Sequence, residues 1–200
     1  MSKQARPDHP IHDLLTRRWS PYAFDDRSVS RDDALALFEA ARWAASSYNE
    51  QPWRFIAARR EDKAAFERIL SCLLEANQAW AQHVGLLALG VISTAFAKNA
   101  KPNRVALHDL GLAAANLTIE ATARGLYVHQ MAGIEPDKAR QTFHVPAGFE
   151  VCTAIAVGYR LPDDRLTGEV RQRETADRPR RALKEFVFDG KWEQPALFVK

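Results

Sequence analysis

Apolar residues recur along the chain at two spacings, and each spacing predicts one type of secondary structure. Continuous apolar runs are typical of strands covered on both faces, whereas apolar residues three and four positions apart indicate the buried side of a helix. The predicted strands are 54–59, 84–92, 126–130, 151–158 and the strand-like 186–188. The predicted helices are 11–18, a helix that begins after the N-cap residue Ser30, 62–76, 105–124 and 136–143. Polar residues predict a connector at 77–80 and a charged, loop-like excursion at 160–181, whose balanced signs favour exposure to solvent.

The predicted helix 105–124 is the longest, at roughly 30 Å for a rise of about 1.5 Å per residue. Its apolar residues occupy more than one side, and a helix that is apolar all round must be buried on all sides. We therefore expect a second subunit to cover part of it. His108 and Asp109 are expected to be structural rather than catalytic, because adjacent helical positions do not face each other. The apolar positions are Leu107, Leu110, Leu112, Ala113, Ala114, Leu117, Ile119 and Ala121.

Length, composition and charge limit the class of protein. With 200 residues, 46% of them hydrophobic, the chain suits a single domain over 1–200. A net charge of +3 demands neither nucleic acid nor an anionic membrane as a partner. Cys72 and Cys152 lack the spacing of a disulfide framework or a zinc site, so we expect no metal and a reducing cytoplasm. No apolar run is long enough to span a bilayer, and no signal-peptide core is seen.

The stretch SSYNEQPW, residues 46–53, concentrates ligand-binding chemistry between a predicted helix and a predicted strand. A side-chain amide carries a donor and an acceptor side by side, so Asn49 and Gln51 can pair with the edge of a heterocycle. Ser46 and Ser47 can hydrogen-bond beside it. The same residue types also suit an ordinary turn, which is the alternative on composition alone.

A second candidate site is the end of the first predicted helix, where Arg17, Arg18 and Ser20 precede Pro21. Two guanidinium groups and a hydroxyl suit a phosphate, because the guanidinium offers forked donors to its oxygens. A solvated basic helix end is the alternative.

The order of these motifs resembles the FMN-dependent nitroreductase family. SSYNEQPWRF is similar to the family's signature loop PSSxNxQPWxF, with Ala45 where the family prefers proline. RWSPYAF, from Arg18, is similar to the motif RxSxRxF, in which the first arginine and the serine hold the flavin; Tyr22 stands where a second cation is usual. The helix ALHDLGLAAANLTIEATARGL, the loop QMAG, the strand AIAVGY and the element RPRRAL resemble the family's dimer helix, QMGG loop, late strand and RxRKPL phosphate element.

This resemblance implies an α+β fold, with a mixed β-sheet flanked by helices and a long central helix at a homodimer interface. It also implies that residues 46–49 reach the partner subunit's site and that the extension 182–200 wraps around the partner. The implied cofactor-binding residues are Arg18, Trp19, Ser20, Tyr22, Ser46, Ser47, Asn49, Gln51, Met131, Ala132, Gly133, Arg178 and Arg180.

The implied activity is hydride transfer from NADH or NADPH to FMN and on to a small nitroaromatic, quinone or flavin acceptor. The chemistry lies on FMN, so no protein residue is expected to act as nucleophile or base. One alternative is a specialised enzyme of the same fold, for dehalogenation or flavin fragmentation, or an FMN carrier. The other is a nucleic-acid binder that uses the arginines of 160–181.

Overall fold

The computed structural model describes residues 3–199, which form an α+β fold, and this confirms the predicted fold class. One or two helices precede each strand up to the last strand, and short helical segments follow it. The elements are α1 (Asp13–Arg17), α2 (Arg31–Arg42), β1 (Trp53–Arg59), α3 (Lys63–Leu70), α4 (Glu75–Ala81), β2 (Leu86–Ser93), α5 (Ala106–Ala123), β3 (Tyr127–Met131), α6 (Pro136–Phe143), β4 (Phe149–Gly158) and α7 (Gly168–Thr175).

The four strands form one sheet in the order β1-β2-β4-β3. Its registers pair Trp53 with Ile92, Leu86 with Val157 and Tyr127 with Gly158, and all three strand pairs run antiparallel. The sheet was expected to be mixed, and within residues 3–199 that detail is wrong. A parallel pair needs a crossover that returns the chain in the same direction, whereas each pair of neighbouring strands here runs in opposite directions.

Helices cover both faces of the sheet. Successive residues of a strand point to opposite faces, so Leu86 and Ala88 of β2 join the core beneath α2 and α5, whereas Leu87 and Leu89 join the core beneath α3 and α6. This double coverage explains the continuous apolar runs of β2 and β4, both buried along most of their length.

The long helix α5 is buried against the sheet on one side only. Leu110, Ala114 and Leu117 are fully covered, but Leu107 in its first turn is 56% exposed. The single chain therefore leaves part of this apolar helix uncovered. Gly125, with φ of 74°, follows the C-cap and turns the chain into β3, as expected of a helix-ending glycine.

The predicted helix 62–76 is two helices, so the polar connector expected at 77–80 is wrong. The chain leaves α3 after Leu70 because residues 72–74 pair with the loop after β3. The Leu74 N–H donates to the carbonyl of Gly133, and the Glu135 N–H donates to the carbonyl of Cys72. This tertiary pairing overrides the helical pattern of the local sequence.

Two predictions for the C-terminal part are also wrong. The charged excursion 160–181 contains the helix α7, and the strand-like 186–188 is not a strand but makes an isolated bridge between Phe188 and Pro195. Residues 186–188 pair with none of the four strands of the sheet. Among the described residues, no helix is long and apolar enough to cross a membrane, and no cluster of His, Cys, Asp and Glu could hold a metal ion.

Candidate functional site

The loop after α1 presents Arg18 and Ser20 side by side. Arg18 is the C-cap of α1, with extended backbone, and its Nη1 donates to the Ser20 hydroxyl at 3.3 Å. Pro21 cannot continue a helix, so the chain turns away here as the sequence predicted.

Three guanidinium groups converge on this loop, those of Arg18, Arg178 and Arg180. Burial and then the charge of Arg180 lower the pKa of Arg18; burial and then the charges of Arg18 and Arg180 lower the pKa of Arg178. Within residues 3–199 none of the three forms an ion pair with a carboxylate. Cations that repel one another and pair with no carboxylate attract an anion, and the forked N–H donors of arginine suit a phosphate.

This cluster lies where two clefts meet. The larger cleft, of about 1390 Å³, runs between the N-terminal residues 3–11 and the segment 174–186. The smaller, of about 380 Å³, lies between α5 and β3, and both clefts are lined by Leu15 and Arg18. The remaining residues that line the smaller cleft are Ser20, Ala115, Thr118, Ile119, Val128 and Gln130.

The smaller cleft combines apolar walls with a few polar groups, as pockets for flat ring ligands do. Gln130 Nε2 donates to the Thr118 hydroxyl at 3.1 Å, which leaves the amide oxygen of Gln130 to accept from a ligand. Neither residue was predicted as a site residue. Strand alternation could have identified Gln130 as a site residue, because Gln130 opens the QMAG motif and points to the face of β3 opposite Met131.

The signature loop 46–51 is a strained and tightly bonded structure rather than an ordinary turn. Tyr48, Asn49 and Gln51 have φ of 54°, 55° and 50°, a region that side-chain-bearing residues rarely adopt. The Ser46 hydroxyl accepts from the Gln51 N–H at 3.0 Å, and the buried Asp109 carboxylate accepts from the Ser47 N–H at 3.1 Å. Asp109 is therefore structural, as predicted.

One chain does not bring this loop to the arginine cluster. The loop is bonded to Asp109 in the first turn of α5, whereas Thr118 lines the smaller cleft. Nine residues of helix separate these positions, about 14 Å at about 1.5 Å per residue. Ser46, Ser47, Asn49 and Gln51 line neither cleft.

The loop Met131–Gly133 is shaped by packing against α4. Met131 is buried in the core beneath α3 and α6, on the sheet face opposite Gln130. The carbonyl of Gly133 accepts from Asn77 Nδ2 at 2.9 Å, and a Cβ at Gly133 would lie only 2.4 Å from that nitrogen. A larger residue at this position would force the Asn77 side chain to move and would disturb this hydrogen bond.

Trp19 and Tyr22 lie across β3 from the smaller cleft. Trp19 is buried against Tyr127, and Tyr22 packs edge-on against His129 with ring centroids 4.6 Å apart. Tyr127 and His129 alternate with the cleft-facing Val128 and Gln130, so they point to the opposite face. Neither predicted site residue is brought to the cleft by its own chain.

His129 links this aromatic cluster to the loop after α1. Its Nδ1 lies 2.8 Å from the carbonyl oxygen of Pro21, which can only accept, so this nitrogen carries the hydrogen. Burial lowers the pKa of His129, against smaller raising effects of that hydrogen bond and of Glu174. The ring is therefore neutral at pH 7.

An arginine cluster without a carboxylate partner, beside an apolar slot that contains an amide, has the chemistry to hold a phosphorylated aromatic ligand. The model of the Nitroreductase family matches residues 15–159, and the chain belongs to this family.

Relatives extend over different shares of the chain. It is 34% identical to an uncharacterized 15.4 kDa protein of Mycolicibacterium smegmatis over 71% of this chain and 99% of that one. It is 39% identical to the major NAD(P)H-flavin oxidoreductase of Aliivibrio fischeri over 38% of this chain and 34% of that one.

Solved structures share the fold. An oxidoreductase containing FMN superposes with a TM-score of 0.85 at 29% identity, over 94% of this chain and 95% of that one. A nitroreductase family protein from Clostridium difficile superposes with a TM-score of 0.68 at 20% identity, over 90% of this chain and 97% of that one, and so is similar in fold alone.

Proposed function

We propose that the protein is an FMN-dependent NAD(P)H oxidoreductase that reduces a small nitroaromatic, quinone or flavin acceptor. The observation that carries this proposal is the uncompensated cluster of Arg18, Arg178 and Arg180 at the junction of two clefts. Family membership supports it, as does the resemblance to a protein that contains FMN and to another that oxidises NAD(P)H with flavin. We place this activity in the cytoplasm, where the free Cys72 and Cys152 would stay reduced.

The residues of the site fit the two ends of FMN. Arg18 and Arg180 with the Ser20 hydroxyl suit the phosphate, because they offer charge-assisted donors. Gln130 and Thr118, set among apolar side chains, suit the flat ring and its polar edge.

When bound, FMN would supply the redox chemistry, by accepting hydride from the nicotinamide and passing electrons to the acceptor. The chain's own residues bind and orient. Leu15, Ile119 and Val128 present apolar surface that limits water in the slot, which strengthens every polar contact made there. No side chain needs to act as nucleophile or general base.

We further propose that the site is completed by a second copy of the chain. The signature loop 46–51 is held in a strained shape but lines no cleft of its own chain, so its chemistry is available to a partner. In the single chain Trp43 is 74% exposed, Tyr48 is 94% exposed, and Leu107 on α5 is also exposed. Large apolar side chains of this kind are typical of a surface that a second subunit covers.

The C-terminal extension 182–200 is proposed to wrap around the partner. Residue 200 lies outside the described residues. Trp192 is 83% and Phe198 83% exposed, and both are large apolar side chains that a partner surface would cover.

An absorbance spectrum of the purified protein tests the FMN proposal directly. We expect flavin bands that bleach without oxygen on addition of NADH or NADPH and return when an acceptor is added. Comparing bleaching rates ranks the two nicotinamides, and comparing rates of return ranks the acceptors. Bands that neither nicotinamide bleaches would indicate a flavin carrier, and a colourless protein that does not take up added FMN would refute the proposal.

A further inference from the structure

We propose that Glu174 and Arg178 are positioning residues that together hold the loop carrying Arg18 and Ser20 in the shape that binds phosphate. This inference rests on the proposed FMN function. It gives the charged segment 160–181, whose composition favours exposure to solvent, a structural role. It also means that Arg178 supports the phosphate site without contacting the phosphate.

Glu174 is a buried carboxylate on α7 whose bonds are directed at the loop. Its side chain has no exposed surface. One oxygen accepts from the Tyr22 N–H at 2.7 Å and the Ala23 N–H at 3.3 Å, and the other accepts from Arg160 Nε at 3.2 Å. A buried charge persists only when it is fully bonded, so these donors and Glu174 hold one another in place.

Arg178 bonds the same loop from the opposite direction. Its Nη1 donates to the carbonyl of Arg18 at 2.6 Å, and its Nη2 donates to the carbonyl of Thr16 at 3.2 Å. These carbonyls belong to the end of α1, where the last helical carbonyls have no partner within the helix. The forked guanidinium therefore caps α1 rather than facing outward.

The two side chains stand four residues apart and bind complementary groups of the main chain. Arg178 takes the carbonyls of Thr16 and of Arg18 itself, and Glu174 takes N–H groups that follow Ser20. The Arg18 side chain thus projects from one anchored point, and Ser20 lies between the two. Charge-assisted hydrogen bonds depend on direction, so a loop fixed at both ends binds phosphate with little ordering cost.

The test compares FMN with riboflavin, which has the same ring but no phosphate, by titrating the apoprotein and measuring both dissociation constants. The variants are Glu174→Gln and Arg178→Lys, which keeps the positive charge but cannot fork between two carbonyls. The control is Glu169→Gln, an exposed carboxylate on the same helix. Circular dichroism of each apoprotein monitors the fold.

We expect Glu174→Gln and Arg178→Lys each to weaken FMN binding by about tenfold, the effect of losing one good hydrogen bond to a charged group. Riboflavin binding should stay within about twofold, as should both ligands with Glu169→Gln. If Glu174→Gln does not fold, Arg178→Lys decides by the same comparison.

Three results would overturn the inference. Unchanged FMN affinity in folded variants would show that the loop does not need these anchors. Equal losses for FMN and riboflavin would indicate a general structural role. A wild-type protein that binds neither flavin would overturn the proposed function as well, whereas wild-type FMN binding with unaffected variants would overturn this inference alone.

Discussion

Subunit complementation tests whether each flavin site is built from two chains. One variant loses the phosphate cluster, through Arg18→Ala and Arg180→Ala. The other loses the signature loop's amides, through Asn49→Ala and Gln51→Ala. The loop is bonded to Asp109, about 14 Å along α5 from the cleft residue Thr118, and Asn49 and Gln51 line neither cleft, so we expect neither variant alone to retain FMN.

The size of the effect follows from the contacts removed. Each arginine that faces a phosphate contributes about 1.5–3 kcal/mol, so loss of both weakens FMN binding by roughly a hundredfold or more. In a mixed dimer, one site combines both defects. The other combines the intact phosphate cluster of the loop variant with the intact loop of the phosphate variant, and is complete.

The assay gives the two variants different affinity tags, refolds them together and purifies the mixed dimer over both resins. We expect about one FMN per mixed dimer, since a two-fold dimer has two equivalent sites and one is intact. Dimers of one variant carrying both tags are the control and should hold almost none. A folded mixed dimer that binds no FMN would refute the shared site, because sites within single chains would all remain defective.

The other predictions concern single residues and the oligomeric state. Arg180→Ala should lower FMN retention after dialysis, because it removes a charge-assisted contact worth about 1.5–3 kcal/mol; wild-type stoichiometry and affinity would place Arg180 outside the site. Tyr22→Arg should leave the midpoint potential of bound FMN unchanged in a spectroelectrochemical titration, because Tyr22 lies across β3 from the cleft. A rise of tens of millivolts would instead place residue 22 at the flavin, since roughly 1–4 kcal/mol shifts a two-electron couple by that amount. Because the pKa of His129 is lowered in the folded protein, the unfolded chain takes up the proton first as pH falls below about 6.5. The free energy of unfolding, measured with urea, should therefore decline below that pH in the wild type, and decline less in His129→Gln. The exposed His9→Gln is the control, and parallel pH curves for wild type and His129→Gln would contradict this prediction. No stable monomer is expected, because α5 leaves apolar surface uncovered, and light scattering that reports a folded, FMN-loaded monomer at micromolar concentration would contradict it.

Much of the site was visible in the sequence as local chemistry. Arg18 and Ser20 stand two residues apart before a proline, and the structure places them together at a cleft. Gln130 and Thr118 were missed because they meet only where α5 packs on β3, a contact between distant parts of the chain. Arg178 was expected to bind phosphate, but its fork is directed at main-chain carbonyls, which no spacing in the sequence indicates.

The sequence by itself determined the elements whose pattern is local. The apolar runs specified β2 and β4, Ser30 marked the beginning of α2, and Gly125 marked the end of α5. These signals depend only on neighbouring residues. Only the tertiary structure decided where α3 ends, since residues 72–74 leave the helix to pair with the loop after β3. It likewise decided which side of β3 faces the cleft, because strand alternation assigns a face only once the helices have packed against the sheet.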